Sequence, residues 1–423
     1  MRSPRILLPL LTLLLAACST PTVSSEPSAS PLQSAAPSAP PSAAPSFVAT
    51  PSPVPSPSAA VVGPAPSGSW SSVDWIHEGR LPLRTDNLSI YGWSGGFVAL
   101  EQSEGSDANG NDIPVVIRAS SSADGVHWSA PTTLTTGFKG NIDIGSVVEG
   151  PSGLLALAYP YGDTCGGPES VTALWSSRDG KRWERLRMPK DFTTGSAQTI
   201  AGGPAGFIAL GAHADGTTQA LWTSADGRAW TSRKLPTVSS GELALDGVAS
   251  FDRGFVLVGS VLAAGECGGP AHIRFAAWYS ADGSSWTRET LPGASTDKNA
   301  SLAVRRIGSR VVITQRPPGD GPVKGWTSSD GKAWTRIADM ANDEWWGSVS
   351  DGRHSLIVIT PDVGFGPPTL DGVDDDGTLT TIAQHGDGPS ADVDGRGWTV
   401  AVGPTGILVV SYDDGSSWLG LPS

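Results

Sequence analysis

Ser122-Ala123-Asp124-Gly125-Val126-His127-Trp128 is one of six copies of a single phrase: a Ser, a gap, Asp-Gly, a short spacer, then Trp. The other copies run from Ser177 to Trp183, Ser224 to Trp230, Ser280 to Trp286, Ser328 to Trp334 and Ser411 to Trp418. Recurrence at a period of roughly 50 residues marks a repeat architecture, in which each unit buries its apolar face only against its neighbours.

Upstream of each phrase an apolar run begins, most clearly at Gly96-Phe97, Gly153-Leu154, Gly206-Phe207 and Gly254-Phe255, and more weakly at Val311, Leu356 and Trp398. These starts define seven units. Seven residues before the run stands Ile90, Val147, Ile200, Val248, Val304 or Val349, with Val393 taking the part in the last unit. The sixth unit lacks the Trp: it has an Asp375-Asp376-Gly377 turn and Thr380 near the aromatic position, which explains the long interval between Trp334 and Trp418.

Each unit offers four short extended segments split by turn residues; in the third they are residues 198–201, 207–211, 219–224 and 230–235. The expected fold is all-β, a single seven-bladed β-propeller of four-stranded antiparallel blades. The fragment Trp70-Ser-Ser-Val-Asp-Trp75 reads as an extra outer strand that helps to close the ring, with an eighth, degenerate blade as the alternative.

The chain begins with Arg2, Arg5 and an apolar stretch, residues 6–15, too short to span a bilayer. It ends in Leu15-Ala16-Ala17-Cys18, which resembles the lipobox of bacterial lipoproteins. That resemblance implies a signal peptide over residues 1–17, a lipidated Cys18, and attachment to the extracytoplasmic side of a bacterial envelope membrane; an ordinary secretory signal is the alternative. Residues 18–69 are dominated by Ser, Pro and Ala, a composition that cannot bury enough apolar surface to fold, so a disordered linker is expected. The propeller is assigned to residues 70–423.

With Arg2 and Arg5 removed, 26 basic residues face 41 acidic ones, a net charge of −15. A surface that acidic repels phosphate backbones, so nucleic acid is excluded as an expected partner. Two cysteines remain, Cys165 and Cys267, both in Cys-Gly-Gly-Pro, and an exported chain makes them candidates for one disulfide.

The repeated phrase resembles the Asp-box, or bacterial neuraminidase, repeat. Ser411-Tyr-Asp413-Asp-Gly415-Ser-Ser417-Trp418 fits that family's spacing, and the other five are one residue shorter between Asp and Trp. The resemblance implies a structural hairpin joining strands three and four, on the propeller face away from any active site. Local chemistry agrees: a short Asp side chain caps backbone N–H groups of its own turn, Gly supplies the positive φ, and Trp fills space beneath. The structural set is Asp124, Trp128, Asp179, Trp183, Asp226, Trp230, Asp282, Trp286, Asp330, Trp334, Asp413 and Trp418. A second Trp stands eight residues earlier in four units (Trp175, Trp222, Trp278, Trp326).

The Arg-Ile-Pro motif of sialidases does not occur, and no spacing recruits Arg274, Arg305, Arg306 or Arg316 as a carboxylate-binding triad. Asp143, Asp246, Asp392 and Asp394 lie on or beside the innermost strands and read as solvated channel acids rather than a glycosidase pair. The loop Asp107–Asp112 departs from a calcium loop, with Arg118 where a bidentate acid belongs. The His residues are scattered. No catalytic residue, metal or cofactor is therefore expected. Trp93, Trp345 and Trp346 read as blade core, with sugar stacking as the alternative.

The expected role is non-enzymatic binding or scaffolding, with a glycan or protein ligand on the face opposite the Asp boxes. Its loops would join strands two and three: residues 103–112, 160–170, 212–218, 262–272, 316–322 and 360–368, with only Pro404-Thr405 in the seventh unit. A glycan-processing hydrolase of sialidase-like descent is the rival.

Overall fold

A computed structural model describes residues 72–422 apart from 84–86, 104, 106–112, 140–141, 161–172, 189–195, 214–217, 264–271, 308, 320, 341–344, 351–354, 360–368, 374–377, 387, 390–397 and 413–414. All of them belong to the second of two compact units, residues 59–423. Among the described residues every regular element is a strand.

The chain enters through β1 (Ser72–Arg80). The first sheet is β2 (Leu88–Trp93), β3 (Gly96–Gln102), β4 (Pro114–Ser122) and β5 (Thr132–Lys139). The second is β6 (Ile142–Gly150), β7 (Gly153–Pro160), β8 (Ala173–Ser177) and β9 (Glu184–Arg185). The third is β10 (Ser196–Gly203), β11 (Gly206–Ala212), β12 (Gln219–Ser224) and β13 (Thr231–Arg233). The fourth is β14 (Glu242–Phe251), β15 (Gly254–Ala263), β16 (His272–Ser280) and β17 (Thr287–Thr290). The fifth is β18 (Ser301–Ile307), β19 (Arg310–Arg316), β20 (Val323–Ser328) and β21 (Thr335–Met340). The sixth is β22 (Trp345–Ser350), β23 (Ser355–Ile359), β24 (Thr369–Val373) and β25 (Leu379–Thr381). These six are four-stranded antiparallel meanders.

Then follow β26 (Ala383–Gly386), β27 (Trp398–Gly403), β28 (Gly406–Ser411) and β29 (Ser416–Pro422), which join β1 in a five-stranded sheet of order β26-β1-β29-β28-β27. The innermost strands touch in a closed cycle: β2 on β6, β6 on β10, β10 on β14, β14 on β18, β18 on β22, β22 on β27, and β27 back on β2. The molecule is an all-β propeller of four-stranded antiparallel blades.

The core is divided into layers between sheets. One cluster joins Val98, Leu100 and Ile117 of the first sheet to Leu154, Ala156 and Trp175 of the second. Others join the second to the third, the third to the fourth, and the fourth to the fifth. Strand two of the third blade is apolar because both its faces are covered; Phe207, Ile208, Ala209, Leu210 and Gly211 are all buried. The outermost strands β9, β13 and β17 are mostly exposed. Trp175, Trp222, Trp278 and Trp326 are at most 2% exposed and pack toward the preceding sheet.

Strand two opens on a glycine for a specific reason. Gly96, Gly153, Gly206 and Gly254 have φ of +125°, +111°, +114° and +138°. A Cβ on them would lie 2.1, 2.5, 2.7 and 2.2 Å from the carbonyl oxygens of Ser122, Ser177, Ser224 and Ser280. The glycine thus seats the first two strands against the repeated serine of its own blade.

The fragment around Trp75 is the fourth antiparallel strand of the last blade. β1 pairs with β29 from Val73 opposite Pro422 to Arg80 opposite Ser416, and runs parallel to β26 on its other edge. Trp75 is 5% exposed, and its indole Nε1–H donates to Gln384 Oε1 at 2.9 Å.

The last unit departs from several expectations. In the last unit, the segment Trp398–Gly403 is strand one, not strand two, and Gly406–Ser411 is strand two. Pro404-Thr405 is consequently the turn between strands one and two. The phrase from Ser411 to Trp418 joins strands two and three, whereas the other five join three and four. Gly420 stands opposite Ile407, where other blades place the repeated serine opposite strand two. Val400, not Val393, holds the inner apolar position; Val393 is outside the described residues.

In the sixth blade four residues rather than two separate the paired ends of strands one and two, Ser350 and Ser355, so Val349 pairs with Leu356 and Gly347 takes the position that Ile200 has in the third.

Gly254→Ala is expected to destabilise the propeller by at least about 2 kcal/mol, since it adds both a strained φ and a backbone clash. Gly293→Ala, with φ +70° but open space around the added Cβ, is expected to cost about 1 kcal/mol. Urea unfolding of the two variants checks the difference.

Candidate functional site

The Asp box of the third blade shows how the motif is built. Ser224 Oγ accepts from Gly227 N–H at 2.8 Å and donates to Asp226 Oδ1 at 3.1 Å. The same Oδ1 accepts from Arg228 N–H at 2.8 Å and Ala229 N–H at 2.9 Å. Asp124 Oδ1 takes Val126 and His127 N–H, Asp179 takes Lys181 and Arg182, Asp282 takes Ser284 and Ser285, and Asp330 takes Lys332 and Ala333. The glycines Gly125, Gly180, Gly227, Gly283 and Gly331 have φ between +67° and +84°.

Trp128, Trp183 and Trp230 donate their indole N–H to the carbonyl of the box glycine at 3.0–3.1 Å. Each box also leans on the blade before it: a Cβ on Gly227 would lie 2.8 Å from Leu155 Cδ1, and one on Gly331 2.5 Å from Tyr279 Cδ2.

These carboxylates are committed to their turns. Partial burial pushes Asp179 up, but hydrogen bonds from Arg182 and Lys181 N–H and the Arg182 guanidinium together outweigh it and bring the carboxyl down to about 2. For Asp226 and Asp330, burial is likewise outweighed by the turn N–H groups, and both are lowered. In Asp282 the N–H bonds of Ser284 and Ser285 dominate and lower it.

The five boxes share an end of the propeller with the turns between strands one and two, as Thr405 Oγ1–H on Asp124 O (3.4 Å) and Ser152 Oγ–H on Asp226 O (2.8 Å) show. The Ser411 turn lies at the other end, and Asp413 falls outside the described residues. So do Cys18, Cys165, Cys267, Asp107, Asp392 and Asp394, and most of the loops joining strands two and three. Nothing is described of the side chains of Asp143, Trp345 and Trp346. Trp93 packs beside the cluster between the first two sheets. Among the described residues no group of three or more His, Cys, Asp and Glu side chains is placed to hold a metal ion.

The inner strands carry a feature that apolar spacing does not reveal. β6, β10 and β14 each shift register at one residue, Gly145, Gln198 and Asp246, two positions before Val147, Ile200 and Val248. Such bulges re-aim a side chain. At this position Asp246 is open to water yet hemmed in by neighbouring inner strands, as on the wall of a narrow channel. Its carboxylate accepts the N–H of Leu302 on β18, but burial prevails and pushes it up to about 6.

Glu101 was not singled out by the sequence reading. It is 5% exposed on β3, where other blades place Ala158, Gly211 and Gly259, and it accepts from Arg118 Nη1 at 3.3 Å across to β4. The pair borders an open groove of about 460 Å³ lined by Leu81, Pro82, Leu83, Pro131 and Thr133. Its sequence signal is a lone acid ending an apolar run.

No known family model matches the chain, and no curated protein matches it in sequence. Among solved structures the chain is similar to YCF48 bound to D1 peptide, with TM-score 0.43, 13% identity, and coverage of 85% of this chain and 99% of that one. It is also similar to Aleuria aurantia lectin in complex with alpha-methyl-L-fucoside (TM-score 0.36, 12% identity, 75% and 99% coverage). A third likeness is to Pyrococcus horikoshii acylaminoacyl peptidase (TM-score 0.45, 9% identity, 79% and 52% coverage).

Asp179→Ala is expected to cost about 1–2 kcal/mol near neutral pH, from lost hydrogen bonds to a charged acceptor. Because the carboxyl is lowered in the folded state, its contribution is present above its ordinary value of 3.8 and fades as pH falls toward about 2. Thermal melts should therefore show the gap between Asp179→Ala and the native chain closing over that interval. Asp246 has the opposite sign: raised to about 6, it favours the fold below 3.8 and loses that advantage as pH rises through 6. Asp246→Asn is expected to melt above the native chain at pH 7.5 and level with it at pH 4.

Proposed function

We propose that the chain is a surface-anchored lipoprotein whose seven-bladed propeller binds a glycan or protein ligand, without turnover, on the face opposite the five Asp boxes. In this reading Cys18 carries the lipid, residues 19–69 form the tether, and the protein stands on the extracytoplasmic side of a bacterial envelope membrane. Cys165 and Cys267, in the variable loops of the second and fourth blades, form a disulfide there. The closed cycle of inner-strand contacts, with β1 completing the last blade, supports the count of seven.

One observation carries the binding reading. In all five boxes between strands three and four, the aspartate oxygen is taken by the serine hydroxyl and by N–H groups of its own turn. In the motif that most suggests sialidase chemistry, one oxygen of each aspartate is thus held within its own turn. The remaining recognition surface is the set of loops at the other end, which differ in length and composition from blade to blade.

A specific observation favours the rival. Asp246, with a carboxyl that titrates near pH 6 on the channel wall, has the proton affinity of a general acid. A glycan array and a panel of fluorogenic glycosides, applied to the purified chain, separate the two. Saturable binding with hydrolysis at the buffer rate is the expected result. Turnover that disappears in Asp246→Asn would replace the binding module with a hydrolase.

A further inference from the structure

We infer that a groove on the flank of the ring, between the last blade and the first, binds a neutral, hydroxyl-rich ligand, the terminal hexose of a glycan, through Glu101 and Arg118. The groove has a volume of about 460 Å³, within the range of small-molecule sites. Its polar side follows from register. Phe97 and Ala99 of β3 belong to the layer shared with the last sheet, and Glu101, two residues on, lies on the same face of the strand. Glu101 stands opposite Arg118, and Arg118 opposite Thr133, so one row of polar residues crosses β3, β4 and β5. Leu81, Pro82 and Leu83, which follow β1, supply an apolar lining together with Pro131.

The buried acid is the observation that points to a ligand. The same position is Gly211 in the third blade and Gly259 in the fourth. In the fifth it is Gln315, 1% exposed, whose amide is taken up by the segment entering that blade. There Ser295 N–H donates to Gln315 Oε1 at 2.6 Å, and Gln315 Nε2 donates to the Ser295 carbonyl at 3.5 Å. The segment entering the first blade, Leu81–Leu83, gives Glu101 no such bond. Among the described residues the one donor to its carboxylate is Arg118 Nη1, which reaches Oε1 at 3.3 Å and leaves Oε2 without a bond. The Arg118 side chain is half exposed, and this is its one ion pair among the described residues. A carboxylate buried to this degree and held by one long hydrogen bond lacks the donors that burial calls for. A ligand in the groove can supply them.

The pairing selects the ligand's charge. Glu101 repels an anion and Arg118 repels a cation, and either ion would have to break the pair to gain a partner. A hydroxyl donates to the free carboxylate oxygen and accepts from a remaining guanidinium N–H with the pair intact. Neighbouring hydroxyls of a sugar ring can meet both groups at once, and the ring's C–H groups match the Leu and Pro lining. None of the described lining residues belongs to the variable loops joining strands two and three. The groove is therefore a second site, which can fail without the loop-face reading failing.

The test is isothermal titration and saturation-transfer NMR of the purified full chain with the methyl glycosides of glucose, galactose and mannose. N-acetylneuraminic acid and glucosamine serve as the anionic and cationic controls. At least one neutral glycoside is expected to bind saturably, and more tightly than either charged sugar. Glu101→Gln should weaken that binding about tenfold or more, the loss of a hydrogen bond to a charged acceptor. Arg288→Gln, which removes a positive charge from β17 outside the groove, should bind like the native chain. Arg118→Gln, at a half-exposed position, should weaken binding roughly fivefold, so the proposal remains testable if Glu101→Gln does not fold. A native chain that binds none of the three glycosides, or a charged sugar that binds more tightly than all of them, would overturn it. So would unchanged binding in Glu101→Gln or Arg118→Gln, which would move the sugar to the loop face and leave that reading standing alone.

Discussion

The pairing of Val73 with Pro422 joins the two ends of the folded chain, and the remaining blades depend on it. Each blade buries its apolar side chains in layers shared with its neighbours, so an open array would leave two faces bare. The layer holding Phe97, Ala99, Leu408, Val410 and Leu419 exists only because the last sheet returns to the first. A fully buried side chain of this kind contributes roughly 1.5–3 kcal/mol. β1 supplies the missing fourth strand and also the wall, Val73 and Trp75, against which Leu370, Ile382 and Val409 pack. Its parallel contact with β26 ties the sixth blade to the same strand.

Within this ring the Asp box works as a joint. The serine carbonyl lies against the glycine that opens strand two, and the serine hydroxyl accepts the N–H of the box glycine. The aspartate then closes the turn, and the box glycine is pressed onto the blade before. The two tryptophans of a blade face the same way, as Trp222 and Trp230 do in the layer between the second and third sheets. A single seven-residue phrase therefore sets both the hairpin and the blade-to-blade contact. That is why its residue types recur while the loops at the other end vary.

Most of this was legible in local sequence. The four segments of the third unit appear as residues 196–203, 206–212, 219–224 and 231–233, close to the expected bounds. The role of Trp75 in ring closure was also readable, because its neighbourhood looked like a strand with no blade of its own. The last unit was not. Gly406 to Ser411 has the glycine of a strand two and the terminal serine of a strand three, and which it becomes depends on β1, from the far end of the chain. The best match to the Asp-box spacing is therefore the one at the wrong end of its blade. In the sixth unit, two extra residues between the paired strands shifted Val349 out of the position its spacing suggested.

The bulges at Gly145, Gln198 and Asp246 were hidden because the apolar positions on either side keep their spacing. What they create depends on the ring: an acid becomes hard to ionise only when strands on both sides deprive it of water. Arg305 is affected in the opposite sense by the same enclosure. Asp246, the bulged residue, lies between the levels of Gly259 and Val258 on β15, and Ala249, level with Arg305, stands opposite Val256, so the two levels are about 7–10 Å apart along the strands. That distance is too long for a hydrogen bond but comparable with the Debye length in physiological salt. Accordingly the shift of Asp246 is set by burial and the Leu302 N–H, and that of Arg305 by burial and the Tyr91 phenol.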